Sequence, residues 1–238
     1  FLGLSIFAHP RSIILIPGFI VYTILSLKLK GKSAIMFFLI ALFMILFFVG
    51  LVNFLKFGSF TEFGYGYFGT IGTHNGWGGL IGLLFSPGAG LVYFFPISVL
   101  SVVAAKYMYT NNRALFLLCS YVIIANWLYM GRLSFGFEPF AWSGAIAWGP
   151  RYLVPILPFI VIILGQLLLQ ISEMKNRRRK LIIKASVITL AALGFYVNLV
   201  GTLVWYQYGI IYGWEREQLH KFTNNMDIMT WNPYYSPI

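Results

Sequence analysis

The sequence predicts an all-α membrane protein, a polytopic bundle of about six transmembrane segments in a single domain over residues 1–238. Hydrophobic residues make up 59% of the chain, charged residues only 10%, and the mean hydropathy is +0.80. Such values lie outside the range of water-soluble domains. Several apolar stretches also reach the roughly 20 residues that a helix needs to cross a bilayer. Finally, the basic residues cluster between alternate apolar stretches, as in multi-pass membrane proteins.

The apolar stretches give the order of the predicted elements. Since lipid offers no hydrogen-bond partner to the backbone, a spanning stretch satisfies its own polar groups by forming a helix. The six predicted segments cover residues 2–27, 33–55, 80–105, 114–130, 152–171 and 185–206.

The third segment contains a predicted break. The run Ser86-Pro87-Gly88-Ala89-Gly90 interrupts it with residues that disfavour a continuous helix. Non-helical backbone near the membrane persists only where protein or a water-filled cavity covers it. We therefore expect short amphipathic or re-entrant helical pieces in and beside the outer loops, and no separate soluble domain.

The distribution of charge predicts the orientation of the segments. Eleven of the 17 lysines and arginines fall in 28–32, 106–113 and 172–184, which the positive-inside rule places in the cytoplasm. The stretches 59–79 and 132–151 and the tail after Gln207 would then lie on the outer side. The high pI thus reflects membrane topology and contact with membrane lipids, and no nucleic-acid partner is needed to explain it.

Two further observations limit the protein's class. Cys119 is the only cysteine, so no disulfide within the chain and no thiolate metal cluster can form. Soluble-enzyme motifs such as a P-loop, a Rossmann fingerprint or HExxH are missing from the sequence. The first residue, Phe1, already lies within an apolar run. We therefore interpret the chain as the later part of a longer protein.

Candidate functional side chains are few on the predicted outer side. They are Arg11, Glu62, His74, Asn75, Arg132, Glu138 and Arg151. Arginine suits phosphate because its planar fork binds two oxygens at once. Alternatively, the guanidinium of Arg151 snorkels to lipid headgroups or pairs with Glu138.

Histidine and aromatic residues in the outer loops leave several interpretations open. His74 would ligate a metal, act as a base or donate a hydrogen bond within its glycine-rich loop. The rings of Tyr65, Trp142 and Trp148 would form part of an interfacial aromatic belt, or of a sugar platform or lipid groove.

Three stretches together resemble a known family. They are residues 53–65 (NFLKFGSFTEFGY), 79–91 (GLIGLLFSPGAGL) and 142–155 (WSGAIAWGPRYLVP). Their order and spacing resemble the later half of prokaryotic polyprenyl- or dolichyl-phosphate-dependent type-C glycosyltransferases, which are related to protein O-mannosyltransferases. Residues 3–17 and the tail 232–238 look similar to the same family. Ala89 departs from the pattern, because many relatives carry a basic residue there.

The resemblance implies a prokaryotic plasma-membrane enzyme. It would transfer a sugar from a polyprenyl- or dolichyl-phosphate carrier to a protein or glycan acceptor at the outer face. The catalytic carboxylate would lie upstream of Phe1. Arg151, Arg11 and Arg132 would bind the lipid phosphate, and the substrate cavity would be lined by Glu62, Tyr65, His74, Asn75, Glu138, Trp142 and Trp148. No cofactor is certain from the resemblance: a divalent metal assists some relatives and not others.

Two other classes of membrane protein fit the same sequence. A transporter or flippase of a lipid-linked substrate would also show broken helices and arginines along a substrate path, although it would place ionisable groups near helix midpoints. In a non-catalytic membrane subunit, the aromatic loops would form a partner interface.

Overall fold

The structure is a computed structural model that describes residues 10–27, 32–61, 76–132 and 149–203. All regular elements within these ranges are helices. They are α1 (Ile16–Leu27), α2 (Lys32–Phe57), α3 (Gly76–Phe85), α4 (Leu91–Phe94), α5 (Val99–Asn111), α6 (Arg113–Gly131), α7 (Leu157–Glu173) and α8 (Arg177–Leu203). Short 3₁₀ helices precede α1, α5 and α7, at Pro10–Leu15, Pro96–Ser98 and Arg151–Ile156. The all-α prediction is confirmed for the described residues.

Four of these helices are long and apolar enough to cross a membrane. They cover Ile35–Phe57, Arg113–Gly131, Arg151–Glu173 and Arg177–Leu203. They match the second, fourth, fifth and sixth predicted segments.

The other two predicted segments are not confirmed as spans. The described part of the first segment forms an apolar helical stretch of only Ser12–Ser26. The third segment is divided among α3, α4, a 3₁₀ turn and α5. The prediction of an interruption at 86–90 is therefore confirmed, and a second interruption occurs at Phe95, just before Pro96.

The described residues belong to two compact units. The first contains α1, α2 and α6 up to Ala125. Leu42 and Val49 form its buried apolar cluster, and they lie seven residues apart on one face of α2. The side chains packed against this cluster are Ile16, Ile20, Phe38, Ile45 and Leu46. The Tyr121 hydroxyl donates a hydrogen bond to the Ile14 carbonyl at 3.1 Å, which joins α6 to the start of α1.

The second unit contains α3 to α5, the end of α6, α7 and α8. Helix α5 packs along α7, and each buries apolar residues at helical spacing, Ala104 and Met108 on α5 and Ile160, Ile163 and Leu167 on α7. The indole N–H of Trp127 donates to the Leu80 carbonyl at 2.9 Å. This bond holds α3 against the end of α6.

Asparagine caps start two of the long helices. The Asn112 side chain accepts a hydrogen bond from the Leu115 N–H at 3.1 Å, and Asn176 accepts one from the Arg179 N–H at 3.1 Å. Asparagine is favoured here because its side chain satisfies an N–H that has no partner within the helix. Both caps occur in the predicted cytoplasmic loops, which are therefore tight turns.

Large apolar side chains remain exposed along the long helices. On α8 the exposed fractions of Ile188, Phe195 and Leu203 are 68%, 70% and 75%. In water such a surface would be highly unfavourable, whereas lipid tails solvate it without loss. The structure thus fits the membrane environment that the composition predicts.

Candidate functional site

The candidate site is built around the turn that leads into α7. Gly149 adopts a φ of +67°, a left-handed conformation in which glycine is strongly favoured. Pro150 follows, and the Arg151 N–H bonds to the Gly149 carbonyl at 2.9 Å while the Leu153 N–H bonds to the Pro150 carbonyl at 2.8 Å. These two bonds form the turn at which the 3₁₀ helix Arg151–Ile156 starts. As a result Arg151 lies at the first position of the spanning helix.

The Arg151 guanidinium is exposed and stacked on a neighbouring ring. Its Cζ atom lies 5.0 Å from the centroid of the Tyr152 ring, and its Nη2 donates to the Tyr152 hydroxyl at 3.3 Å. A guanidinium has five N–H donors, so within the part of the chain that the structure describes most of them stay available to a ligand. Stacking restricts the rotamers of the side chain without neutralising its charge.

No carboxylate of the described residues lies near Arg151. The single acid in those ranges is Glu173, at the opposite end of the same helical stretch, Arg151–Glu173. At 1.5 to 2.0 Å per residue, the two ends are separated by roughly 35 Å. Within the described residues the positive potential at Arg151 is therefore not compensated.

The break in the third segment has a defined turn structure. Ser86 is fully buried; its carbonyl accepts the Gly90 N–H at 2.7 Å and its hydroxyl accepts the Ala89 N–H at 3.2 Å. A Cβ at Gly90 would lie 2.4 Å from the Ser86 carbonyl oxygen, so only glycine fits. Serine thus supplies the hydrogen bonds that the missing helical turn would have made.

Phe94 connects this broken segment to the Arg151 turn. Its ring lies so close to Gly149 that a Cβ there would be 2.6 Å from the ring Cδ1 atom. The Phe94 carbonyl accepts a hydrogen bond from Asn198 Nδ2 at 2.8 Å, and the same amide donates to the Gly194 carbonyl at 2.7 Å. Phe94 lies three residues after the stretch 79–91, and Gly149 belongs to the described part of the stretch 142–155, so this contact brings residues at the ends of the two motifs close together.

The remaining predicted site residues are only partly covered by the structure. Arg132 is exposed just after the end of α6, and Arg11 lies in the 3₁₀ helix Pro10–Leu15 of the other unit. Ala89 is buried in the turn, at 2% exposure. The other predicted residues lie outside the described ranges: Glu62, Tyr65, His74, Asn75, Glu138, Trp142 and Trp148.

Metal ligands are not grouped within the described ranges. There, no three His, Cys, Asp or Glu residues are close enough to hold a metal ion.

Several residues that matter here were not predicted from the sequence. Asn198 is a polar residue in an apolar helix, a signal that usually indicates a specific polar contact, and Pro96 marks the second break because proline lacks an N–H. Asn53 and Asn126 are also buried, and Asn53 Nδ2 and Asn126 Oδ1 have no hydrogen-bond partner among the described residues.

The chain was compared with protein-family models, curated proteins and solved structures. The chain matches no protein-family model, no curated protein and no solved structure.

Proposed function

We propose that this chain forms part of a multi-pass membrane glycosyltransferase that takes its sugar from a polyprenyl- or dolichyl-phosphate carrier. The observation that carries the proposal is the exposed Arg151 guanidinium, stacked on Tyr152 at the start of a helix long enough to span the bilayer. The family resemblance of the three sequence stretches supports the same reaction class.

The proposed orientation follows from the positions of the basic residues. Lys106, Arg113 and the cluster after Glu173 are exposed at the junctions of α5 with α6 and of α7 with α8. The positive-inside rule assigns these junctions to the cytoplasm. Arg151, at the other end of the α7 stretch, would then lie at the outer membrane boundary, where the phosphate of a lipid-linked sugar resides.

The proposed reaction is the transfer of a glycosyl group to a hydroxyl. A general base takes the proton of the acceptor hydroxyl, the oxygen bonds to the anomeric carbon, and the bond from that carbon to the phosphate oxygen breaks. The departing lipid phosphate gains negative charge in the transition state. An arginine fixed beside it stabilises that charge.

Position and restraint make Arg151 the preferred phosphate ligand. The turn at Gly149 is held by the buried Phe94, so the backbone that carries Arg151 is fixed before a ligand binds. A preorganised cation stabilises developing charge better than a mobile one because no reorganisation accompanies the reaction.

The test is transfer of labelled sugar from a polyprenyl-phosphate donor by the full-length protein in nanodiscs. We expect Arg151→Ala to lower the rate by ~10²-fold, as on removal of one transition-state donor. Arg151→Lys keeps the charge without the planar fork, so its rate should fall between the two. The control is Arg178→Ala, which removes an exposed arginine at the start of α8, beyond the other end of α7.

Two results would count against the proposal. A folded wild-type protein that transfers no sugar from any such donor but moves the lipid-linked sugar between leaflets is a flippase. Equal loss of transfer in Arg151→Ala and Arg178→Ala would mean that Arg151 has no special relation to the phosphate.

A further inference from the structure

A groove lies between the end of α7 and the start of α8, away from the Arg151 turn. Its volume is about 510 Å³, within the range of small-molecule sites. One end is polar and is formed by Ser172, Lys180 and Lys184. The wall beyond it is aliphatic and includes Leu168, Val187 and Ile188. The groove is thus amphipathic along its length.

The cations at the polar end are available to a ligand. Lys180 and Lys184 are four residues apart and so lie on one face of α8. Lys180 Nζ donates to the Ser172 carbonyl at 2.9 Å, which leaves two of its three ammonium protons free. Neither lysine forms an ion pair with a carboxylate of the described residues. The Ser172 hydroxyl donates to the Leu169 carbonyl at 2.6 Å.

The surroundings favour an anionic ligand. Lys175 and the arginines at 177, 178 and 179 are exposed beside the groove, and Glu173 is the single acid of this segment. Their combined charge attracts anions to the polar end, and it does so most strongly at low ionic strength.

The aliphatic wall favours a ligand that also carries a hydrocarbon chain. Leu168 and Ile188 are 55% and 68% exposed, although both line the groove. The wall continues into the exposed apolar surface of α8, which lipid would cover. A free phosphate ion would use the lysines and leave this wall uncovered.

We propose that this groove holds one anionic glycerophospholipid. Its phosphate lies at Lys180 and Lys184, and one acyl chain follows Leu168, Val187 and Ile188. The site is separate from the proposed sugar transfer and requires only that α7 and α8 are embedded in a bilayer. The positive-inside rule assigns this junction to the cytoplasm. Its positive charge would then bind a specific lipid there.

The test is titration of phosphatidylglycerol onto delipidated full-length protein in a neutral detergent, with bound lipid counted by native mass spectrometry. We expect Lys180→Gln with Lys184→Gln to weaken binding ~30-fold, roughly fivefold per lysine. The control replaces Arg178 and Arg179 by glutamine and so removes equal charge outside the groove lining. At physiological ionic strength its affinity should stay within about twofold of wild type, because these arginines do not line the groove and their attraction to the lipid is screened.

Three further variants keep the test informative if the double glutamine variant misfolds. Lys184→Gln alone makes no change to the Lys180 contact with α7, so it should weaken binding roughly fivefold without altering the thermal midpoint. Replacing both lysines by arginine should preserve binding. Ile188→Trp would obstruct the aliphatic wall and weaken binding with both cations intact.

Several outcomes would overturn the proposal. Equal weakening in the groove variant and the arginine control would indicate general attraction to a basic loop. Binding of phosphatidylcholine as tight as that of phosphatidylglycerol would exclude recognition of charge. Binding of inorganic phosphate as tight as that of phosphatidylglycerol, or no effect of Ile188→Trp, would mean that the acyl chain makes no contribution.

Discussion

At the scale of single residues, two glycines have the same backbone conformation in different surroundings. Gly149 and Gly58 have φ values of +67° and +74°. No atom of the described residues lies within 4 Å of a Cβ built at Gly58, whereas a Cβ at Gly149 would meet the Phe94 ring. Substituting each glycine in turn therefore separates the free-energy cost of a left-handed backbone, present at both positions, from the cost of a steric clash, present only at Gly149.

Alanine substitution at the two glycines gives the first prediction. Gly58→Ala should destabilise the protein by the backbone term alone, about 1–2 kcal/mol. Gly149→Ala adds overpacking against Phe94, for a further 1–3 kcal/mol or so. Thermal unfolding in detergent measures both. Equal midpoints for the two variants would show that Phe94 does not pack against the Arg151 turn.

At the scale of elements, the second break in the third segment leaves the Phe94 carbonyl without a hydrogen bond from its own helix. Pro96 has no N–H, and the Ser98 N–H bonds to the Phe95 carbonyl at 2.9 Å, not to that of Phe94. The Phe94 carbonyl receives the Asn198 amide instead. Gly194 lets α8 approach, since a Cβ there would lie 3.0 Å from Pro96 Cδ. Helix α8 thus stabilises the break.

Removing the Asn198 amide tests this contact. We expect Asn198→Leu to lower the free energy of unfolding by about 0.5–2 kcal/mol, the range for one interhelical hydrogen bond. Thr202→Val is a matched control one turn further along α8, because the Thr202 hydroxyl donates to the Leu199 carbonyl of its own helix and so makes no contact with the break. If both variants unfold at the same temperature, the amide does not support the break.

The sequence predicted the interruption at 86–90 because Pro87, Gly88 and Gly90 disfavour a helix locally. It did not predict that Phe94 would contact Gly149 or Asn198, since these pairs are 55 and 104 residues apart and their contacts depend on tertiary packing. Arg151 was identified because charge in an apolar sequence is conspicuous. The stacking on Tyr152 depends on the 3₁₀ turn, which a pattern of hydropathy does not specify.

At the scale of the whole molecule, both proposed sites depend on opposite ends of one helical stretch. Arg151 stands at its start, and the lysine groove is formed where it ends. The stretch Arg151–Glu173 is 23 residues long, enough to cross a hydrocarbon core of about 30 Å. The proposals therefore share one requirement, that these two ends face opposite sides of the membrane.

The most direct measurement is two-sided labelling of single cysteines with a membrane-impermeant thiol reagent. Cys119 is replaced by alanine, and one cysteine is introduced at Arg151, Asn111 or Glu173, all exposed. We expect Arg151→Cys to react in intact cells, and Asn111→Cys and Glu173→Cys only after the cytoplasmic side is opened. Reaction of Glu173→Cys from the outside, or of all three from one side, would contradict the account.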